Sequence, residues 1–137
     1  MSSAAIDPVI FKAYDIRGVV DRTLTVAAVR AIGAALGTLG SERGVREIAV
    51  GRDGRLSGPR LRDALIEGIR SAGVGVVDVG MVPTPLLYYA THELGTQSGV
   101  EITGSHNPPE YNGLKMVLAG EALYGDGVQA LRQRTTY

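Results

Sequence analysis

Thr103-Gly104-Ser105-His106-Asn107-Pro108-Pro109-Glu110-Tyr111-Asn112-Gly113-Leu114-Lys115 connects two segments that carry the pattern of buried elements. Gln97 to Thr103 reads as a strand, with Val100 and Ile102 separated by a polar residue, and Leu114 to Ala119 resumes an apolar, β-capable run. The link between them is then a surface loop, the part of a fold that most often carries chemistry. Pro108 and Pro109 each fix φ near about −65° and hold the preceding residue extended, which leaves a Ser-His-Asn triplet beside Gly104 little freedom. By pattern alone the segment also fits a Gly/Pro-rich turn with an Asn-Pro start and a helix-capping serine.

The strand predicted to deliver Ser105 is the last in an alternating series. Val9 to Tyr14 reads as a short strand and Asp15-Ile16-Arg17-Gly18 as the turn leaving it, with Tyr14, Asp15 and Arg17 clustered at its end. Thr25 is placed to cap a helix from about Val26 to about Gly40, where Val26, Val29, Ile32, Leu36 and Leu39 recur at helical spacing. Glu47 to Gly51 is a short strand entering the turn Gly51-Arg52-Asp53-Gly54-Arg55. Ser57 then caps a second helix, with Pro59 in its first turn and Leu61, Leu65 and Ile69 along one side. Gly73 ends it, and Val74 to Val79 is apolar enough to be a strand buried on both faces. Gly73-Val74-Gly75 starts like a dinucleotide fingerprint but precedes a strand, and Asp78 stands at the third glycine, so no nucleotide site is read there. Pro83-Thr84-Pro85 breaks the chain before a helix from Leu86 to Leu94, in which His92 caps or faces solvent, and Val128 to Arg134 begins a last helix.

Strand and helix alternating in this way predict a three-layer α/β/α domain with a mostly parallel sheet of about four strands. Ser105 falls just past the carboxyl end of a strand, where open α/β sheets place ligands. The 137 residues suit one domain that closes its own core. No cysteine is present, which excludes a disulfide framework and, with no leader pattern in Met1 to Pro8 and no membrane-length apolar run, makes the cytoplasm the expected compartment. Net charge is zero and the arginines are dispersed, so neither a nucleic-acid face nor a membrane anchor is expected. Glycine, 19 residues of 137, is about twice as common as usual and has no period, which points to tight turns rather than repeats.

Lys115 is one of two lysines, the other being Lys12, against twelve arginines. Both lie in motif-like stretches, and a lysine can exchange a proton where a guanidinium cannot. Ser105, His106 and Lys115 thus bring a hydroxyl nucleophile, a proton-exchanging ring and an ammonium into one short segment.

The pattern TGSHNPPEYNGLK resembles the catalytic serine loop of the α-D-phosphohexomutases, in particular their bacterial phosphomannomutase/phosphoglucomutase branch. Phe11-Lys12-Ala13-Tyr14-Asp15-Ile16-Arg17-Gly18, Val50-Gly51-Arg52-Asp53-Gly54-Arg55 and Val82-Pro83-Thr84-Pro85 resemble that family too, in its order, so the likeness covers nearly the whole chain and only the first of the family's four domains. It implies that residues 1–137 are domain I and that domains II, III and IV lie outside this chain. It further implies that Ser105 carries a phosphate exchanged with a hexose phosphate, interconverting glucose or mannose 1- and 6-phosphates through a hexose 1,6-bisphosphate. Tyr14, Arg17 and Lys115 would face the substrate, Arg17 and Lys115 as cations for phosphate, and Lys115 and His106 would move the sugar hydroxyl's proton. Mg²⁺ is implied as cofactor, with Ser105, through its phosphate, the only metal ligand from this chain, since no Asp-rich cluster occurs here.

Two other functions compete. A Ser/His hydrolase would need a G-x-S-x-G elbow, which is absent, and a histidine brought to the serine by the fold rather than adjacent to it. A free-standing phosphate-binding or phosphorylation-regulated module on the same fold would make no evident use of a lysine beside the serine loop. The isolated chain is expected to fold and to lack mutase activity.

Overall fold

The computed structural model describes residues 6–135, so that Met1–Ala5, within the stretch that carries no leader pattern, lie outside it. The order of elements is β1 (Ile16–Val19), α1 (Val26–Glu42), β2 (Glu47–Arg52), α2 (Gly58–Ser71), β3 (Gly75–Met81), α3 (Thr84–Glu93), β4 (Gly99–Ile102), β5 (Tyr111–Leu118), β6 (Glu121–Ala122) and α4 (Asp126–Arg134). The sheet runs β1-β5-β4-β2-β3, with β6 paired to β5. The three-layer α/β/α class holds, but the sheet has six strands and is mixed: β2 pairs in parallel with β3 and β4, while β5 is antiparallel to β4, β1 and β6.

The first strand lies later than the sequence pattern suggested. Asp7 Oδ1 accepts a hydrogen bond from the Val9 N–H, and Pro8, whose missing N–H costs nothing at a first helical position, starts a 3-10 turn over Pro8–Ile10. The strand is Ile16–Val19, the segment that looked like a turn because it holds Arg17 and Gly18. Its burial alternates: Ile16 and Gly18 face the core, while Arg17 and Val19 are only half-buried. β3 also departs from expectation. It is an edge strand, and most of its residues remain partly exposed.

Leu61, Leu65 and Ile69 of α2, Val29, Ile32 and Leu36 of α1 and Val128 and Leu131 of α4 form one core with Ile48, Val50, Val100, Ile102, Leu114 and Met116 of the sheet. Among the described residues, the other face is covered by α3, which packs on β2 and β4. Thr25 caps α1 as expected, its Oγ1 accepting from the Ala28 N–H at 3.0 Å. Ser57 stands at the N-cap of α2 but makes no capping bond; its Oγ accepts instead from Nδ2 of the fully buried Asn112 at 2.8 Å. That bond ties the start of α2 to β5. Asn112 Oδ1 meanwhile accepts from the Gly113 N–H, so both ends of a buried amide are satisfied.

Helices α1 and α2 touch backbone to backbone. A Cβ on Gly68 would lie 2.1 Å from the Arg30 carbonyl oxygen, and one on Gly33 would lie 2.5 Å from that of Leu65. Neither neighbour can yield, because both are helical backbone. Gly68→Ala is therefore expected to destabilise the domain by ~1–3 kcal/mol or more despite alanine's better helix propensity. Urea denaturation should show it as a lower midpoint with an unchanged slope.

Candidate functional site

Strands β2 and β4 are parallel neighbours, so the loops that follow them leave the sheet at the same end. The loop after β2 carries Asp53 and Arg55, and that after β4 carries Ser105. Asp53 anchors the second loop at its base. Its N–H donates to the Ile102 carbonyl at 2.9 Å, and its Oδ2 accepts from Thr103 Oγ1 and the Gly104 N–H, both at 3.0 Å. Thr103 Oγ1 accepts in turn from the Ser105 N–H at 3.0 Å.

Arg55 fills the inside of the same loop. Its guanidinium donates to the carbonyls of Pro108 at 2.6 Å, Asn107 at 2.7 Å, Tyr111 at 3.1 Å and Ser105 at 3.2 Å, and its Nε lies 3.4 Å from Asp53 Oδ2. Five donors in a planar fork suit four carbonyls from different directions, a task lysine cannot perform. Gly104 is required here because a Cβ on it would lie 2.0 Å from the guanidinium carbon. Ser105, at the exposed tip, is held at φ +53°. A non-glycine residue in this left-handed region costs on the order of 1–3 kcal/mol and persists only where its surroundings impose it. Here the loop that Arg55 and Asp53 hold surrounds it, with the Arg55 guanidinium on the Ser105 carbonyl.

His106 follows Ser105 and is exposed. Lys115 lies on β5, paired with Glu101 of β4, and Arg17 pairs with Gly113 of the same strand, so Lys115 and Arg17 stand on neighbouring strands of the α3-bearing face. Arg17 Nη2 lies 3.3 Å from the largely buried Asp15 carboxylate. Tyr14 is 79% exposed and stacks on Tyr124 with ring centroids 6.5 Å apart. Ser105 and His106 thus belong to the arginine-centred loop, Arg17 and Lys115 to the α3-bearing face of the sheet, and Tyr14 to the stack with Tyr124 ahead of β1.

Sequence reasoning gave no role to Asp53, Arg55, Thr103 or Glu101. The first two stood in the GRDGR turn, but their meeting with the serine loop depends on β2 and β4 being neighbours. Glu101 is fully buried, and neither carboxylate oxygen has a hydrogen-bond partner among the described residues. Burial, then the charge of Asp53, pushes its pKa from an ordinary 4.5 up to about 8. Tyr88 on α3 is also raised, first by burial and then by the Glu101 and Asp15 carboxyls, so both acids face it.

Among the described residues, no group of three or more His, Cys, Asp or Glu side chains is placed to hold a metal, and no helix is long and apolar enough to cross a membrane. The magnesium implied by resemblance would find on this chain at most an oxygen borne by Ser105.

The domain thus belongs to the class of α/β/α folds with a serine loop at the carboxyl edge of the sheet. The family model "Phosphoglucomutase/phosphomannomutase, alpha/beta/alpha domain I" matches residues 8–136, and the chain belongs to that family. It is 58% identical over 125 residues to a phosphomannomutase/phosphoglucomutase of Pseudomonas aeruginosa, covering 91% of this chain and 27% of the relative. A phosphoglucomutase of Neisseria meningitidis is 54% identical over 122 residues, with 89% of this chain and 26% of the relative covered. The crystal structure of a phosphoglucomutase/phosphomannomutase family protein from Burkholderia thailandensis superposes with a TM-score of 0.90 at 52% identity, over 96% of this chain and 30% of that one. The chain spans little more than a quarter of the length of the curated relatives it matches.

Two outcomes are expected from this geometry. Arg55→Ala removes charged hydrogen bonds worth ~1.5–3 kcal/mol each, so the loop amides of Asn107 and Tyr111 should exchange with solvent at least ~10-fold faster, with the Val50 amide unchanged. The second concerns pH. The folded state keeps the Glu101 proton between about pH 4.5 and 8, where the unfolded chain has released it, so this group's contribution to stability is full below 4.5 and is lost as pH rises to about 8. The melting temperature should be higher at pH 5 than at pH 8.5, and Glu101→Gln should flatten the difference.

Proposed function

We propose that the chain is the phosphoserine domain of a phosphomannomutase/phosphoglucomutase-type isomerase, acting in the cytoplasm together with the enzyme's remaining domains. The observation that carries this reading is Ser105, exposed and held in a left-handed backbone by an arginine-centred loop, in a chain of this family. In the complete enzyme the Ser105 phosphate passes to a hydroxyl of a hexose phosphate. The P–Oγ bond breaks as the new P–O bond forms, giving a hexose 1,6-bisphosphate, and the serine then takes the other phosphate. In this reading His106 and Lys115 remove the sugar hydroxyl's proton and return it.

A phosphoserine brings about −1.5 to −2 charges to the loop tip, and phosphoryl transfer is mostly positioning and charge stabilisation. Arg55 within the loop, and Lys115 and Arg17 on the α3-bearing face, supply the opposing charge. Tyr14 offers an exposed ring to the sugar. Mg²⁺, when bound, would offset phosphate charge, and its protein carboxylates lie in the remaining domains. The isolated chain lacks those groups and the loops that orient the sugar, and orientation alone is worth ~7–11 kcal/mol. It is therefore inactive.

Phosphopeptide mapping of the complete polypeptide tests this: the phosphate should lie on Ser105 and nowhere else, and its discovery on Thr103 or Ser98 instead would end the proposal. In a coupled mutase assay with magnesium and glucose 1,6-bisphosphate, Lys115→Met should lower the rate by ~10² or more with the melting temperature nearly unchanged, and the 137-residue chain alone should show no turnover.

A further inference from the structure

The Glu101 carboxyl touches neither the serine loop's hydrogen bonds nor the proposed phosphoryl transfer, yet it stands in the strand that delivers Ser105. Its Oε1 occupies the space over Gly51, where a Cβ would come within 2.6 Å of it, beside Val82 and Val79. Both oxygens are sealed from solvent without a donor among the described residues. Its direct cross-strand partner is Lys115. Antiparallel partners project from the same face with Cβ atoms ~4.5–5.5 Å apart, so the four-carbon arm of the lysine spans the gap by rotation alone.

The groups facing Glu101 can be named element by element. From the loop after β2 comes Asp53, which opposes ionisation, and from α3 comes Tyr88, which both Glu101 and Asp15 push up; Asp15, just ahead of β1, is already paired to Arg17 of that strand, and His92, one turn beyond Tyr88, is exposed. Helix α2 lies across the sheet. The Lys115 ammonium has no hydrogen bond or ion pair among the described residues. We propose that Glu101 is a positioning residue for Lys115: protonated, it leaves the ammonium free to extend toward the serine loop, and ionised, it draws that ammonium back onto the sheet.

The physical reason is the cost of an unpartnered buried carboxylate, several kcal/mol. A neutral acid has no such cost and little hold on a neighbouring cation. Burial keeps Glu101 protonated at neutral pH, so the extended lysine is then the resting one. Once the proton leaves to solvent, Lys115 is the unpaired cation within reach. The catalytic consequence rests on the function proposed above, whereas the pairing does not.

Because the chain has two lysines, ¹³Cε-lysine labelling gives two signals, which Lys115→Met assigns. In the 137-residue chain the Lys115 signal should pass through an inflection near pH 8 that the Lys12 signal lacks, and Glu101→Gln and Glu101→Met should each abolish it. An inflection that survives in both variants, or its absence from the parent chain, overturns the proposal, with the backbone amide spectrum reporting that each variant is folded. In the complete enzyme, kcat/KM of the parent should fall ~10-fold from pH 7 to 9, in line with the protonated fraction left one unit above the pKa, and the Glu101→Gln profile should lack that limb. A lysine inflection without phosphate on Ser105 upholds the pairing and overturns the proposed function alone; phosphate on Ser105 with a flat lysine titration does the reverse.

Discussion

Four carbonyl oxygens converge on the guanidinium of Arg55, and the shape of the serine loop depends on that convergence. Carbonyls turned inward repel one another unless a multivalent donor lies among them, and a short loop with two prolines has few other ways to satisfy its backbone. Asp53 completes the arrangement. It fixes the Arg55 backbone through Oδ1 and the start of the loop through Oδ2, so one carboxylate sets arginine and serine in a common frame. The frame is rigid because its two halves issue from adjacent parallel strands with a fixed register.

The sheet's two faces divide the work. One is closed by α1, α2 and α4 over a continuous apolar core. The other, under α3, holds Glu101, Lys115 and Arg17 in adjacent strands, where a fully covered sheet would admit only apolar side chains. Antiparallel β5 makes this possible. It returns directly from the serine loop and places Lys115 beside the strand that led into that loop.

Much of this was legible from residue order. The spacing of Val29, Ile32 and Leu36 gave α1, Thr25 gave its cap, and the thirteen residues from Thr103 to Lys115 gave the loop and the family. What escaped was set by pairing between distant segments. Ile16–Val19 is a strand because β5 lies beside it, a fact invisible in a tetrapeptide that includes arginine and glycine. Ser57 looks like a helix cap until Asn112, 55 residues later, arrives to use its hydroxyl. Glu101 read as the polar position of a strand, and only the packing of α3 over the sheet shows that it has no water to face. The half-exposed β3 escaped for a related reason: valine runs report β-propensity, not whether a strand is central or at an edge.

The backbone at Ser105 carries a consequence for which alcohol can stand there. Threonine has the same hydroxyl and could carry the phosphate proposed for Ser105, but its branched Cβ makes a positive φ a genuine outlier. At this loop tip the two residues are chemical equivalents and conformational opposites. A primary alcohol fits the backbone that the arginine and aspartate of the loop hold, and a branched one does not.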